Sequence, residues 1–228
     1  MINRRENWVA ELPLQARAAL DACAVERCVR AGEVICHAGA GATGVHQVLE
    51  GYVKVTGLTH AGDTAVIVIY GPGNCWGESP LVSERPHHHS TIAMTDVRMR
   101  TFPKADFLRI YNEFPAVGYA LCRKFARAMS RLILNREALA AGRVGPLVAA
   151  SFLSLARDVP LAAGGNACEI DVPLTQLDVA NYLGVTRQSV QPEISALKGA
   201  GILEKRSGAW VIHDIRRLRR CSVDPRLT

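Results

Sequence analysis

Over the first hundred residues, apolar and polar positions alternate in short runs. In Tyr52-Val-Lys-Val-Thr56, Val53 and Val55 alternate with Lys54 and Thr56, the two-residue period of a half-buried strand. Runs rich in Val, Ile and aromatic residues also span Glu33 to Cys36, Val45 to Leu49, Thr64 to Tyr70, Thr91 to Met94 and Val97 to Phe102. Glycine separates them: ten of the nineteen glycines fall between Gly32 and Gly77, where tight turns call for positive φ. Short strands punctuated in this way predict an antiparallel sandwich or barrel.

After Phe102 glycine thins out and the apolar spacing lengthens. From Pro115, the positions Val117, Leu121, Phe125, Ala128, Leu132, Asn135 and Leu139 step by three or four residues, which predicts one apolar seam along a single long helix. The spacing is near that of a two-stranded coiled coil. Leu121, Phe125, Ala128, Leu132, Asn135 and Leu139 are therefore the expected dimer face, with Asn135 as a register-setting polar residue; the alternative is that part of the seam lies against the barrel. Ala141-Gly-Arg-Val-Gly-Pro146 reads as a hinge. Beyond it a helix through Leu155, a turn at Ala162 to Asn166 and a strand at Cys168 to Val172 open a second unit. The expected division is 1–114 for the strand-rich unit with an N-terminal helix, 115–143 for the dimer helix and hinge, and 144–228 for the C-terminal unit.

In Leu174-Thr-Gln-Leu-Asp-Val-Ala-Asn-Tyr-Leu183, Thr175 is placed to cap a helix buried through Leu177, Val179, Ala180 and Leu183. Gly184 ends it and Val185 packs into the corner. Thr186-Arg-Gln-Ser-Val-Gln-Pro-Glu-Ile-Ser-Ala-Leu-Lys198 then supplies a second capped helix, buried through Val190, Ile194 and Leu197. Two helices around a short glycine-containing turn make a helix-turn-helix, and two strands around Ser207-Gly208 follow as a wing. An ordinary helical hairpin has neither the wing nor the exposed polar face of Arg187, Gln188, Gln191 and Ser195. An exposed helix start can enter the major groove, where Arg pairs with guanine O6 and N7 and Gln pairs with adenine. Arg187 and Gln188 sit at that start as the candidate readers of bases, with Gln191 of the exposed face as a further DNA-binding candidate. Thr175, Gln176, Thr186 and Ser189, with Lys205 and Arg206 of the wing, are candidates for phosphate contacts, which position the protein without specifying sequence.

Net charge adds little to this. The chain of 228 residues carries +6, but from Val144 onward ten basic residues face eight acidic ones. Local clusters, Arg123, Lys124, Arg127, Arg131 and Arg136 in one helix and Arg216, Arg217, Arg219 and Arg220 near the end, read first as solvated faces. No stretch is apolar enough to span a membrane, and Met1 to Ala10 lacks the apolar core of an export signal. Seven irregularly spaced cysteines argue against a disulfide framework. A cytoplasmic protein with no membrane partner is expected.

Gly32-Glu-Val-Ile, Gly51-Tyr-Val-Lys-Val, Gly71-Pro-Gly-Asn-Cys-Trp-Gly-Glu78 and the segment from Leu174-Thr-Gln to Thr186-Arg-Gln-Ser-Val190 carry a resemblance over nearly the whole chain. It resembles the Crp–Fnr (cyclic-AMP receptor protein and fumarate-nitrate regulator) family of bacterial transcription regulators. The resemblance implies an α+β chain: a cyclic-nucleotide-binding-like β-roll of jelly-roll type, a long dimerisation helix and a C-terminal winged helix-turn-helix. It implies a homodimer, not an enzyme, acting on a palindromic site in double-stranded DNA, with RNA polymerase as a candidate further partner.

The departures bear on mechanism. In cyclic-AMP binders of the family the loop after Gly-Glu leads to an Arg-Ser pair that holds the cyclic phosphate. Here Gly77, Glu78 and Ser79 match the start, but His87-His-His89-Ser90 follows, with histidine where Arg is expected and Arg85 out of register. Gly77, Glu78, Ser79, His88, His89 and Ser90 are the effector-pocket candidates. A neutral imidazole supplies no fixed charge at pH 7, so control by cyclic AMP is not expected and no cofactor is required by the sequence; a cyclic nucleotide in an altered loop stays as an alternative. Cys23, Cys28 and Cys36, with Cys75 or Cys122 as a fourth ligand, are similar to the cluster-binding cysteines of some members at a different spacing. Iron–sulfur or thiol sensing through Cys23, Cys28, Cys36 and Cys75 is therefore the other alternative, beside buried structural thiols. A metal-dependent cupin-like enzyme would need histidines converging from separate strands. Only His37, His46 and His60 could join the triplet, at no such spacing, and no metal is expected. Pro192 is the odd residue, because the family usually has a base-reading Arg there. Inside a helix starting at Arg187 it removes the bond to the Gln188 carbonyl. Either the helix bends or its regular part begins near Pro192, and Arg187 becomes the main base reader.

Overall fold

The computed structural model describes residues 7–58, 64–156, 166–170 and 172–223. The chain divides into two compact units, 3–130 and 131–228, and the division falls inside one long helix.

In the first unit α1 (Leu14–Cys23) precedes two four-stranded antiparallel sheets. One has the order β1 (Val25–Val29), β8 (Val97–Pro103), β3 (Gly44–Glu50), β6 (Cys75–Trp76). The other has the order β2 (Val34–Cys36), β7 (Ser90–Ala93), β4 (Val53–Leu58), β5 (Thr64–Tyr70). Val29, Val48, Val53, Trp76, Ala93, Val97 and Met99 form the core of the roll. The alternation that predicts β4 is only partly realised. A register shift against β5 between Val55 and Thr56 turns the phase of the strand, so that Val53 and Thr56 are buried and Val55 is half-buried.

A second core joins α1, α3 (Lys104–Glu113) and the first turns of α4 (Pro115–Ala140) to β3 and β8, through Trp8, Leu20, Val45, Phe102, Phe107, Ile110, Val117 and Leu121. This corrects the predicted seam. Leu121 is 2% exposed and belongs to this core, so it cannot face a partner chain. Tyr119, Phe125, Met129, Leu132, Ile133 and Leu134 are the large apolar residues that α4 leaves open. Ala128, Asn135 and Leu139 are half-buried.

The second unit begins with α5 (Val144–Ala156), continues through β9 (Cys168–Ile170), α6 (Gln176–Leu183) and α7 (Arg187–Gly199), and ends with β10 (Leu203–Arg206), β11 (Ala209–Ile212) and α8 (Ile215–Ser222). The sheet order is β10-β11-β9. Phe152 meets Trp210 edge to face at 5.0 Å, and Trp210 Nε1 donates to the Leu174 carbonyl at 2.8 Å, so one indole ties α5 and β11 to the chain entering α6. Of the predicted turn at 162–166 only Asn166 lies within the described residues, and His60 lies outside them.

Candidate nucleic-acid interface and effector loop

The helix pair is built by its caps. Thr175 Oγ1 accepts from Asp178 N at 3.1 Å while Asp178 Oδ2 accepts from Thr175 N at 2.8 Å, a complete capping box. Gly184 ends α6 at φ 69°, a left-handed conformation that suits glycine, and the chain turns directly into α7. Thr186 caps α7, its Oγ1 accepting from Ser189 N at 3.2 Å. Val179, Ala180, Leu183, Val190, Ile194 and Leu197 bury one face of the pair. Leu177 does not join them: it is 52% exposed, because at 100° per residue it stands about 110° from the middle of the face made by Val179, Ala180 and Leu183.

Arg187, Gln188, Ser189 and Gln191 stand exposed at the start of α7, beside exposed Thr175 and Thr186 and half-buried Gln176. α7 runs as one helix through Pro192, so its regular part does not begin there. Ser207 and Gly208 both take positive φ, 49° and 91°, in the two-residue turn between β10 and β11. On this hairpin Lys205 lies 5.3 Å over the Trp210 ring, and Arg206 pairs with Glu204 at 2.9 Å. In α8, Ile215 and Leu218 are buried and all four arginines are exposed.

In the first unit the loop that follows β6 has an unexpected destination. Gly77 takes φ 97° at the start of α2 (Glu78–Val82), and a Cβ there would lie 2.5 Å from the Gly44 carbonyl oxygen. Glu78 then turns into the second core. Its Oε1 accepts from Lys124 Nζ at 2.6 Å and from Trp8 Nε1 at 2.8 Å, and Lys124 Nζ also donates to the Cys75 carbonyl at 2.8 Å. Burial is the largest single influence on Lys124 and would push its pKa down, but the Glu78 carboxylate, with Tyr70 and Cys75 adding to it, outweighs burial and the net shift is upward. Ser79 is exposed. Ser90 Oγ accepts from Ala38 N at 3.0 Å. His88 and His89 are exposed, with ring centroids 6.4 Å apart, and a Cβ on Gly57 would come within 3.0 Å of the His89 ring.

Residues 26–114 match the family model of the cyclic nucleotide-binding domain and residues 148–221 that of the Crp-like helix-turn-helix domain. The chain is 27% identical over 174 residues to the CRP-like cAMP-activated global transcriptional regulator of Mycobacterium tuberculosis, covering 76% of this chain and 77% of that one. It is 27% identical to the nitrogen fixation regulation protein FixK of Bradyrhizobium diazoefficiens, covering 71% and 66%. A solved structure of a cyclic nucleotide binding protein from Ruegeria pomeroyi matches at 26% identity and a TM-score of 0.71 over 97% of this chain and all of that one. The chain belongs to the Crp–Fnr family of transcription regulators.

Two of the candidate effector-pocket residues, Glu78 and Ser90, are already bonded within the chain. The cysteines do not come together either. Cys28 is exposed on β1, Cys23 and Cys36 are half-buried, and Cys75 is buried. Among the described residues no three of His, Cys, Asp or Glu are grouped so as to hold a metal, so these thiols do not fit an iron–sulfur cluster. Burial pushes the Cys23, Cys36 and Cys75 thiols above their ordinary range, which opposes thiolate reactivity.

Trp8 carries no sequence signal of its place in the core, and Lys124 and His46 are buried in settings that their immediate sequence neighbours do not announce. The basic cluster places Lys124 on a solvated face, yet Val117, Ala120, Leu121 and Lys124 share the helical spacing of one buried stripe. That spacing was a usable signal. His46 sits inside the roll, with Nδ1 2.9 Å from Thr101 Oγ1, Nε2 3.8 Å from Cys36 Sγ, and its ring 5.1 Å from that of Trp76. No local pattern marks it. Among the described residues no helix is long and apolar enough to cross a membrane.

Proposed function

We propose that the chain acts as a homodimer on a palindromic operator, reads bases with the start of α7, and does so without an ordinary cyclic nucleotide. The observation that carries the DNA reading is the capped, exposed first turn of α7, where Arg187 and Gln188 stand free of the core. Thr175, Gln176, Thr186 and Ser189 flank it as phosphate contacts, and Lys205 extends them along the wing. The dimer reading rests on Phe125, Met129 and Leu132, a run of exposed apolar side chains at steps of four and three on α4.

Selection from a random duplex library by the full chain, with no ligand added and at a stated salt concentration, tests this reading. Enrichment of a palindrome with half-sites about one helical turn apart is the expected result; no enrichment refutes it. Arg187→Ala should then lose about 1–3 kcal/mol on the selected site and relax the base preference at one position. Equal binding by the variant would remove Arg187 as the main reader.

The proposed independence from cyclic nucleotides is supported by the internal commitments of Glu78 and Ser90. It is supported also by the absence of any Arg at position 89. Calorimetric titration with cyclic AMP should show no heat of binding at micromolar concentrations. A micromolar dissociation constant would overturn this part and leave the DNA reading standing.

A further inference from the structure

Pro192 is the sixth residue of α7 and is exposed. At 3.6 residues per turn, Gln188, Pro192 and Ser195 fall within about 60° of one another on the side of α7 opposite Val190, Ile194 and Leu197. Those three are buried, so Pro192 lies near the middle of the outward face. A proline at an interior helical position has no N–H for the Gln188 carbonyl, and the surrounding helix would be more regular with almost any other residue. The chain nevertheless keeps α7 continuous through it, from Arg187 to Gly199.

Among the outward residues Arg187, Gln188, Gln191, Pro192, Ser195 and Ala196, only Pro192 and Ala196 present nothing but carbon, and Pro192 is the one within a turn and a half of the helix start. It cannot donate to guanine or adenine and cannot accept from cytosine. The one base feature in the major groove that an apolar surface complements is the C5-methyl group of thymine. We infer that Pro192 reads a thymine methyl in each half-site, which makes it a specificity-determining residue of the helix-turn-helix. This rests on the DNA reading above and goes beyond it by naming the chemical group recognised. Five residues of rise separate Arg187 from Pro192, about 7.5 Å along the helix, so the thymine lies within about two base pairs of the one read by Arg187.

The test is replacement of thymine by deoxyuridine, which removes the methyl and leaves base pairing intact. Each thymine of the selected palindrome is changed in turn, in both half-sites, and the affinity of the full-length protein is measured. One position should lose about tenfold, the loss of two buried methyl contacts; the others should change by less than about twofold. Pro192→Ala should bind thymine and deoxyuridine duplexes to within about twofold at that position, and Pro192→Arg should select guanine there. Both variants restore a helical N–H, so they keep the fold, and circular dichroism verifies it. If no thymine is sensitive, or if the loss persists undiminished in Pro192→Ala, the inference fails while the DNA reading stands. If no sequence is enriched at all, both fail together.

Discussion

Lys124→Met is expected to destabilise the first unit by about 3–5 kcal/mol, more than any exposed substitution on the same helix. The side chains of Glu78 and Lys124 are 3% and 8% exposed and meet at 2.6 Å. Removing the ammonium leaves a carboxylate in the core with only the Trp8 indole as a side-chain donor. An uncompensated buried charge is the costly outcome, whereas replacing both members of a buried pair with apolar groups is often close to neutral. The double variant Glu78→Leu with Lys124→Met should therefore recover much of the loss. Urea unfolding of the wild type, both single variants and the double variant closes the cycle. If Lys124→Met costs less than about 1 kcal/mol, the pair is not holding the loop. The point reaches function because α2 follows Gly77 directly, and Glu78 ties that loop to α4, the helix whose next turns carry the open apolar stripe.

Local pattern exposes some of this molecule and hides the rest for reasons that particular residues make plain. The helix pair from Gln176 to Gly199 was legible because caps, glycine and apolar spacing are all short-range features. The burial of Val55 was misread because a register shift against β5 depends on the partner strand and not on β4 alone. β1 escaped notice for a related reason. Its residues Val25 to Cys28 are exposed and only Val29 is buried, so pairing with β8 makes the strand without any alternation. Lys124 and Glu78 lie 46 positions apart, and no window along the chain links them. The seam on α4 had the correct period but the wrong facing near its start, because Leu121 lies in the second core while Phe125 and Leu132 are left open.

Acidification gives the second large effect. Burial is the main cause that lowers His46 to a pKa of about 4, with the charges of Arg27 and His87 adding to it. The ring contacts Thr101, Cys36 and Trp76, none of which supplies a negative charge. A histidine whose folded pKa is depressed stabilises the fold while both states are neutral, above about pH 6.5, and that stability is lost as the unfolded chain takes up its proton. The loss runs from about pH 6.5 down to about 4 and amounts to about 2–3 kcal/mol at pH 4.5. Glu50, Glu204 and Asp214, whose pKa values are lowered by their partners, lose stability in the same direction as pH falls. The comparison must therefore be between wild type and His46→Gln, each unfolded by urea at pH 7.5 and 4.5. The wild type should lose about 2–3 kcal/mol more than the variant over that interval; parallel losses would mean that His46 titrates normally. Burial lowers His87 as well, so both buried imidazoles are neutral at pH 7 and place no cation in the roll to meet a cyclic phosphate. One titration thus bears on the stability of the roll and on the kind of signal it can receive.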